Sequence, residues 1–236
     1  MLLRYKVQQW LAQYVTQYCV LCQQASHTAL CKHCKASVAY FNHSAFNYNL
    51  MRWPKIIEAM RPNKLTHLHA FSDYKPPVAY WLKQLKFQQK LLYAEVLADL
   101  FVSSIAPRQD SLPEALVPAP LHINRYMSRQ YNQARILAQS IGNRLDMPIL
   151  DGALFREYNT QAQTQLNRRQ RISNVSSAFT APMLTPSVSH IAIVDDVITT
   201  GATMQAMINA ISDSNPNLKI EAWSVAVALS SLNKVG

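Results

Sequence analysis

Residues 190–211, HIAIVDDVITTGATMQAMINAI, contain the pattern that decides the fold. The apolar run Ile191–Val194 predicts a short buried strand, and two carboxylates, Asp195 and Asp196, stand where that strand should end. The apolar residues that come after the next, hydroxyl-rich segment recur at helical spacing: Met204, Met207, Ile208 and Ile211. The stretch therefore predicts a strand, a polar turn and a helix in immediate succession.

The polar turn predicts a phosphate site. Its hydroxyl groups belong to Thr199, Thr200 and Thr203, and free N–H groups at a helix N-terminus bind phosphate oxygens. The chain has only four glycines, and one of them, Gly201, is at the centre of the turn, where a side chain would hold phosphate away from the backbone. Two carboxylates beside a phosphate site can accept hydrogen bonds from a vicinal diol. A site for a phosphate and a diol fits a ribose 5-phosphate. The alternative interpretation of the stretch is an ordinary strand–turn–helix whose acids cap the helix.

Two common nucleotide-binding loops do not fit this turn. No Lys follows its glycine as in a P-loop, which disfavours a nucleoside triphosphatase, and the G-x-G-x-x-G of a dinucleotide-binding turn is absent from the sequence.

The run IAIVDDVITTGAT resembles the PRPP-binding motif of type I phosphoribosyltransferases. The resemblance implies that Asp195 and Asp196 bind the ribose hydroxyls and that the loop binds the 5-phosphate; the loop residues are Thr199, Thr200, Gly201, Ala202 and Thr203. It also implies displacement of pyrophosphate from the anomeric carbon, with Mg2+ neutralising the diphosphate. Because neighbouring carboxylates repel each other, we expect one of the two acids to have a raised pKa.

The composition limits the possible domain organisation and the kinds of partner. The chain has 236 residues, 49% of them hydrophobic, which suits one medium domain with a small appendage. Its net charge of +10 favours anionic partners such as nucleic acid or phosphorylated substrates. No apolar run approaches the roughly 20 residues that cross a bilayer, so we expect no integral membrane segment. Residues 1–18 predict an amphipathic helix rather than a signal peptide, and we expect a cytoplasmic protein.

All four cysteines lie close together as C-x2-C-x8-C-x2-C: Cys19, Cys22, Cys31 and Cys34. Two such knuckles can present four thiolates to one tetrahedral Zn2+, and a reducing compartment argues against two disulfides. Four protein ligands leave no open position, so the sequence predicts a structural Zn2+ rather than a catalytic one. We therefore divide the chain into a helix (1–18), a zinc knuckle (19–36), a connecting region (37–72) and a main domain (73–236).

Three lysines at helical spacing, Lys83, Lys86 and Lys90, form a basic stripe on a predicted helix. They are either a solvated helix face or a surface that contacts phosphates of a substrate or of single-stranded DNA. Three aromatic side chains of the same helix are available for stacking wherever they are exposed: Tyr80, Trp81 and Phe87.

The phosphoribosyltransferase resemblance extends to two further segments. By order along the chain, the loop Ala119, Pro120 and Leu121 corresponds to the pyrophosphate-binding loop, with Arg125 and Arg129 as candidates to neutralise the leaving group. A helix is predicted from near Asn132. The polar stretch 156–179 corresponds to a mobile loop that closes over the diphosphate, with candidate residues Arg168, Arg169 and Arg171; the alternative there is an exposed basic helix and turn.

The cysteine knuckles, the VPAPL segment, the RQYNQA segment and the VDD motif occur in an order that resembles the ComF family over nearly the whole chain. The resemblance implies an α/β domain of the type I phosphoribosyltransferase kind, with a mainly parallel sheet flanked by helices, beside a small N-terminal zinc module. It also implies a role in natural competence and in the use of external DNA. One departure is Gln130, where family members often have Gly, which takes positive φ angles more easily.

Two functions follow from these patterns. The first is a phosphoribosyltransferase that uses PRPP with Mg2+ in DNA uptake or salvage. The second is a non-catalytic adaptor that binds single-stranded DNA or proteins of the uptake machinery. A PRPP-sensing transcription regulator lacks support, because no helix-turn-helix is readable in the sequence.

Overall fold

The computed structural model describes residues 17–60, 64–121, 131–156, 178–185 and 187–232. Residues 1–16 of the predicted N-terminal helix lie outside the described residues. At residues 17 and 18 the helix prediction is wrong. Gln17–Tyr18 is a short strand, β1, which pairs antiparallel with β2, Ala25–Ser26. The turn of this hairpin carries Cys19 and Cys22.

The connecting region is more ordered than its sequence suggests. Helix α1, Lys32–Ser37, is capped by Cys31 and comes just before this region. Two short 3-10 helices follow it, His43–Phe46 and Leu50–Arg52. Helix α2, Pro54–Met60, follows them.

The remaining elements alternate between strands and helices. In chain order they are β3 (Leu68–Asp73), α3 (Val78–Gln88), α4 (Leu92–Ile105), β4 (Ala115–Pro118), α5 (Gln133–Leu145), β5 (Phe155–Arg156), β6 (Phe179–Thr180), β7 (His190–Ile198), α6 (Ala202–Ser214), β8 (Lys219–Val227) and α7 (Leu229–Leu232). No helix within the described parts of the chain combines the length and the apolar character needed to cross a bilayer.

Four of these strands form the central sheet, in the order β3-β8-β7-β4, and all neighbouring pairs are parallel. The separate pair β5 and β6 is antiparallel. Because all four central strands point the same way, their carboxyl ends meet at one edge of the sheet, where α/β proteins bind ligands.

Alternate side chains of the central strands enter two separate cores. On β7, Ala192 and Val194 belong to one cluster, whereas Ile191 and Ile193 belong to the other. The first cluster includes buried residues of α3, α4 and α5, and the second includes those of α2 and α6. The predicted fold class is therefore confirmed: an α/β structure with a parallel sheet flanked by helices and a small four-cysteine module.

Two strands differ from the sequence prediction. Strand β3 lies almost wholly inside the stretch that was expected to connect the two parts of the chain. Its polar side chains concealed it, but two of them make hydrogen bonds inside the protein: Nε2 of His69 contacts the Ser104 hydroxyl at 2.9 Å, and Ser72 donates to the carbonyl of Ala39 at 2.8 Å. Strand β7 is longer than predicted and continues through both acids to Ile198, because it pairs with β8 over this whole length.

A buried ionic cluster stabilises the half of the sheet away from the carboxyl ends. Glu221 on β8 is fully buried and accepts hydrogen bonds from Arg108 at 2.6 and 2.7 Å and from the indole of Trp223 at 3.0 Å. Burial alone would raise the pKa of Glu221, but the guanidinium of Arg108 holds it below its usual range. A carboxylate this well paired can remain charged inside a core.

Candidate functional site

The acidic pair lies near the carboxyl end of β7. Asp195 is partly buried and pairs in register with Ser224 of β8, whereas Asp196 is only 5% exposed. The backbone N–H of Asp196 donates to the Asp195 carboxylate at 2.8 Å, which fixes the orientation of that side chain. The sheet therefore places two carboxylates side by side at its ligand-binding edge.

The turn after β7 is held in shape by its glycine. Gly201 has a φ of 75° and stands immediately before α6. A Cβ at this position would lie 2.3 Å from Cε of Met60, and the positive φ would strain any L-residue. Thr199 and Thr200 are exposed in the turn and Thr203 is exposed in the first turn of the helix. The predicted succession of strand, polar turn and helix is thus present, with the hydroxyl groups accessible at the helix N-terminus.

The Ala119–Leu121 loop after β4 is joined by hydrogen bonds to β7 and to the start of α5. The N–H of Ala119 donates to the carbonyl of Val194 at 2.9 Å, which places this loop directly beside the acidic pair. Asn132 caps helix α5 by accepting from the N–H of Ala134 at 3.0 Å, and its amide donates to the carbonyl of Ala119 at 2.9 Å. The cap of one helix therefore also fixes the loop after β4.

These segments surround one cavity of about 470 Å³. Of the residues predicted for the PRPP site, the following line it: Asp195, Asp196, Thr199, Thr200, Gly201, Thr203, Ala119, Pro120 and Leu121. Ala202 is exposed and does not line it. The structure thus brings together two segments that are some 75 positions apart in the sequence. Their assignment to particular groups of a ligand stays a prediction.

The electrostatics of the acidic pair match the expected repulsion. Burial and the neighbouring Asp196 carboxylate raise the pKa of Asp195 to about 7. Lys86 of α3 forms an ion pair with Asp196, and both side chains are largely buried, with 18% and 7% of their surface exposed. Asp196 therefore has a resident cation, while a large fraction of Asp195 is protonated near pH 7.

The three lysines of the predicted basic stripe do not share one surface. Lys83 and Lys90 are exposed, but Lys86 points into the cavity that holds the acids. The helix ends at Gln88, and Gln89 takes a left-handed conformation, so Lys90 no longer follows the helical spacing on which the stripe was based.

The four cysteines form a compact cluster. Their sulfur atoms all lie within 4.8 Å of one another, and those of Cys22 and Cys31 are 3.9 Å apart. Four sulfurs at about 2.3 Å from a tetrahedral Zn2+ would be about 3.8 Å apart, so the set can hold such an ion. Burial works against ionisation of Cys19, but backbone N–H groups, including that of Cys31 at 3.4 Å, lower its pKa to about 6. Burial raises the pKa of Cys34 to about 12, a cost that a bound cation would offset.

Comparison with known proteins gives relatives that extend over most of the chain. Competence protein F of Haemophilus influenzae is 28% identical over 219 residues, which are 89% of this chain and 90% of that protein. DNA utilization protein YhgH of Salmonella typhi is 30% identical over 173 residues, or 72% and 75% of the two chains, and the protein of the same name from Escherichia coli K12 is 29% identical over the same lengths. The chain belongs to the ComF family. No protein-family model matches it.

Several residues that the ComF resemblance singled out fall outside the described part of the chain. They are Arg125, Arg129 and Gln130 after the first loop, and Arg168, Arg169 and Arg171 in the predicted mobile loop. Their contributions stay predictions.

Other residues around the cavity of this ComF-family protein were not predicted for the site. Tyr74 follows β3, and Phe179 of β6 lies beneath the guanidinium of Arg156, which is 5.3 Å from its ring centre. Asn132 was predicted only as a helix start, although the spacing of an N-cap asparagine after the Ala119 loop was a usable signal. Tyr74 had a weaker signal, because the strand before it was missed.

Proposed function

We propose that this ComF-family protein binds PRPP with Mg2+ and transfers its phosphoribosyl group, in the use of external DNA. One observation carries the proposal: the acidic pair, the threonine turn and the Ala119–Leu121 loop line a single cavity at the carboxyl edge of a parallel sheet. The names of the relatives, which refer to competence and DNA utilization, favour the biological context.

Each part of the cavity suits one part of the ligand. The carboxylates of Asp195 and Asp196 accept hydrogen bonds from the two ribose hydroxyls, and the turn from Thr199 to Thr203 donates N–H and O–H groups to the 5-phosphate. The diphosphate then lies towards the Ala119–Leu121 loop. Mg2+ would neutralise charge on the diphosphate as it leaves. The bond from the anomeric carbon to the diphosphate oxygen breaks, the electron pair leaves with pyrophosphate, and an acceptor atom forms the new bond as it loses its proton.

Calorimetric titration with PRPP, with and without Mg2+, tests this proposal. We expect binding to the wild-type protein that requires Mg2+ and that is abolished by Asp195→Ala or Asp196→Ala. Asp213→Ala is the matched control, because Asp213 is an exposed acid on α6, paired only with Lys64 at 2.6 Å among the described residues. Unchanged affinity in both site variants would refute the proposal. A pyrophosphate-release assay across bases and DNA then tests turnover.

A second function, binding of single-stranded DNA, is favoured by the outer face of α3. Tyr80 and Phe87 are 50% and 63% exposed, and Lys83 is exposed between them along the helix, with Lys90 just beyond its end. Exposed aromatic rings beside lysines can stack on bases while the ammonium groups contact phosphates. Trp81, by contrast, is fully buried and is not available for stacking.

Fluorescence anisotropy with a labelled single-stranded oligonucleotide tests this second function. We expect salt-dependent binding that Phe87→Ala weakens and that Lys83→Ala with Lys90→Ala weakens further. Lys55→Ala on α2 is the control for loss of one exposed positive charge. Binding that is indifferent to salt and to these residues would exclude the α3 surface.

We also propose that the cysteine cluster holds a structural Zn2+ and that the protein is cytoplasmic. The sulfur distances favour the metal, and free thiolates persist in a reducing compartment.

A further inference from the structure

We propose that Lys86 is an anion-binding residue of the candidate cavity: its ammonium group, which pairs with Asp196, binds the diphosphate when PRPP binds. This inference rests on the proposed function and assigns a residue to that site which lies outside the sequence motifs that predicted it. The observation behind it is the position of one lysine, which reaches the acidic pair from a helix distant in sequence.

Helix α3 is packed so that Lys86 has little freedom to point elsewhere. Trp81, Leu82 and Leu85 on the same helix are fully buried in the core shared with α4 and α5. Lys86 directly follows this buried face, and only 18% of its side chain is exposed. An exposed ion pair would be a weak argument, because such pairs contribute little energy. When both members of a pair are largely buried, both charges have lost water, so Lys86 needs an anionic partner inside the cavity.

The charge around the cavity explains why a cation is needed there. Among the described residues that line it, the charged groups are the acids Asp195 and Asp196 and the cations Lys86 and Arg156. PRPP carries several negative charges, and two carboxylates without a nearby cation would repel it. Lys86 contacts Asp196 directly, so its removal takes a positive charge away from the acidic pair.

Binding of ribose weakens the ion pair. A ribose hydroxyl that donates to the Asp196 carboxylate shares that carboxylate with the Lys86 ammonium and lowers its attraction for the cation. The four-carbon stem of lysine lets its ammonium group move by several Å while the helix stays in place. The diphosphate of the same ligand then offers oxygens that replace the lost partner, and the exchange leaves both charges satisfied. Charge-assisted contacts of this type are the strong ones in anion recognition.

Titration of Lys86→Met with PRPP and Mg2+, and separately with ribose 5-phosphate, tests the exchange. We expect Lys86→Met to weaken PRPP binding by about tenfold to hundredfold, as for loss of one hydrogen bond to a charged group. Ribose 5-phosphate lacks the diphosphate, so its affinity should change by less than about threefold in either direction. Lys55→Met removes an exposed lysine of α2 that does not line the cavity; it is the matched control and should bind both ligands as the wild type does.

Three results for Lys86→Met would overturn the inference while leaving the proposed function intact. The first is an unchanged PRPP affinity, and the second is tighter PRPP binding, which would make Lys86 only an obstacle to the ligand. The third is an equal loss of affinity for both ligands, which would place Lys86 at the 5-phosphate. If the wild-type protein itself binds no PRPP, the proposed function fails and the inference with it. Lys86→Gln provides a second variant if the Met variant does not fold, as judged by circular dichroism, and the same results apply to it.

Discussion

Replacement of Asp195 by Asn should make the protein more stable and at the same time unable to bind PRPP. Burial and the adjacent Asp196 raise the pKa of Asp195 from its ordinary value of 3.8 to about 7. Between these two values the folded protein retains a proton that the unfolded chain has lost, so the free energy of unfolding falls as pH rises and stays low above pH 7. Asparagine cannot ionise and avoids this loss. Its side-chain oxygen can still accept the hydrogen bond from the N–H of Asp196, which is 2.8 Å long in the wild type.

The magnitude follows from the pKa difference. A shift of about three units corresponds to an upper limit of about 4 kcal/mol at 1.36 kcal/mol per unit. Asp195 is only partly buried and Lys86 lies close by, so solvent and relaxation reduce that limit. Only about two of these units fall between pH 5 and pH 8, so we expect the stability advantage of Asp195→Asn over the wild type to grow by about 1–2 kcal/mol across that range.

Urea denaturation of both proteins at pH 5, 6.5 and 8 measures this difference. Other groups that titrate in the range, such as the buried histidines, are present in both proteins and cancel in the comparison. Asp213→Asn on the surface is the control and should show no such growth with pH. An Asp195→Asn protein that is less stable than the wild type at pH 8, or a difference that does not change with pH, would refute the reasoning.

Two further predictions concern the metal cluster and the turn. Removal of metal by a chelator, or Cys22→Ser, should lower the melting temperature of the whole protein in one transition. A loss of about 3 kcal/mol in the free energy of unfolding corresponds to roughly 6–12 °C at this chain length. Calorimetry checks this, and a separate early transition would show instead that the cluster folds independently. Gly201→Ala should lower the free energy of unfolding by about 1–2 kcal/mol, because φ is 75° there and the new Cβ must displace Met60. It should also weaken PRPP binding. Denaturation measures the stability and titration the affinity, and a variant equal to the wild type in both would show that neither the φ angle nor the contact matters.

The strand, turn and helix around the acidic pair could be predicted because all their signals are local. Four apolar residues, two acids, a glycine and a helical repeat lie within 22 consecutive positions, and each has one dominant structural meaning. The same holds for the cysteine spacing. Local patterns also placed the start of α5, since Asn132 is a strong N-cap residue.

The parts that were missed depend on contacts distant in sequence. Strand β3 contains His69 and Ser72 and therefore looks polar in the sequence. These side chains can be buried because they bond to Ser104 and to the Ala39 carbonyl, both more than 30 positions away. Lys86 has the spacing of a surface stripe, and only the packing of α3 against the core turns it towards Asp196. Periodicity identifies the faces of a helix, but which face meets which neighbour is decided by tertiary structure.

The buried cysteines share a core with the helix that carries Lys86. Cys19 and Cys34 belong to the same apolar cluster as Trp81 and Leu85 of α3, and Lys35 is tied to Asp99 of α4 at 2.6 Å. The cysteine module is consequently part of the main core and not an independently packed unit. A shortened protein that starts after residue 36 would lose Cys19 and Cys34 from this core and should be less stable than the full chain.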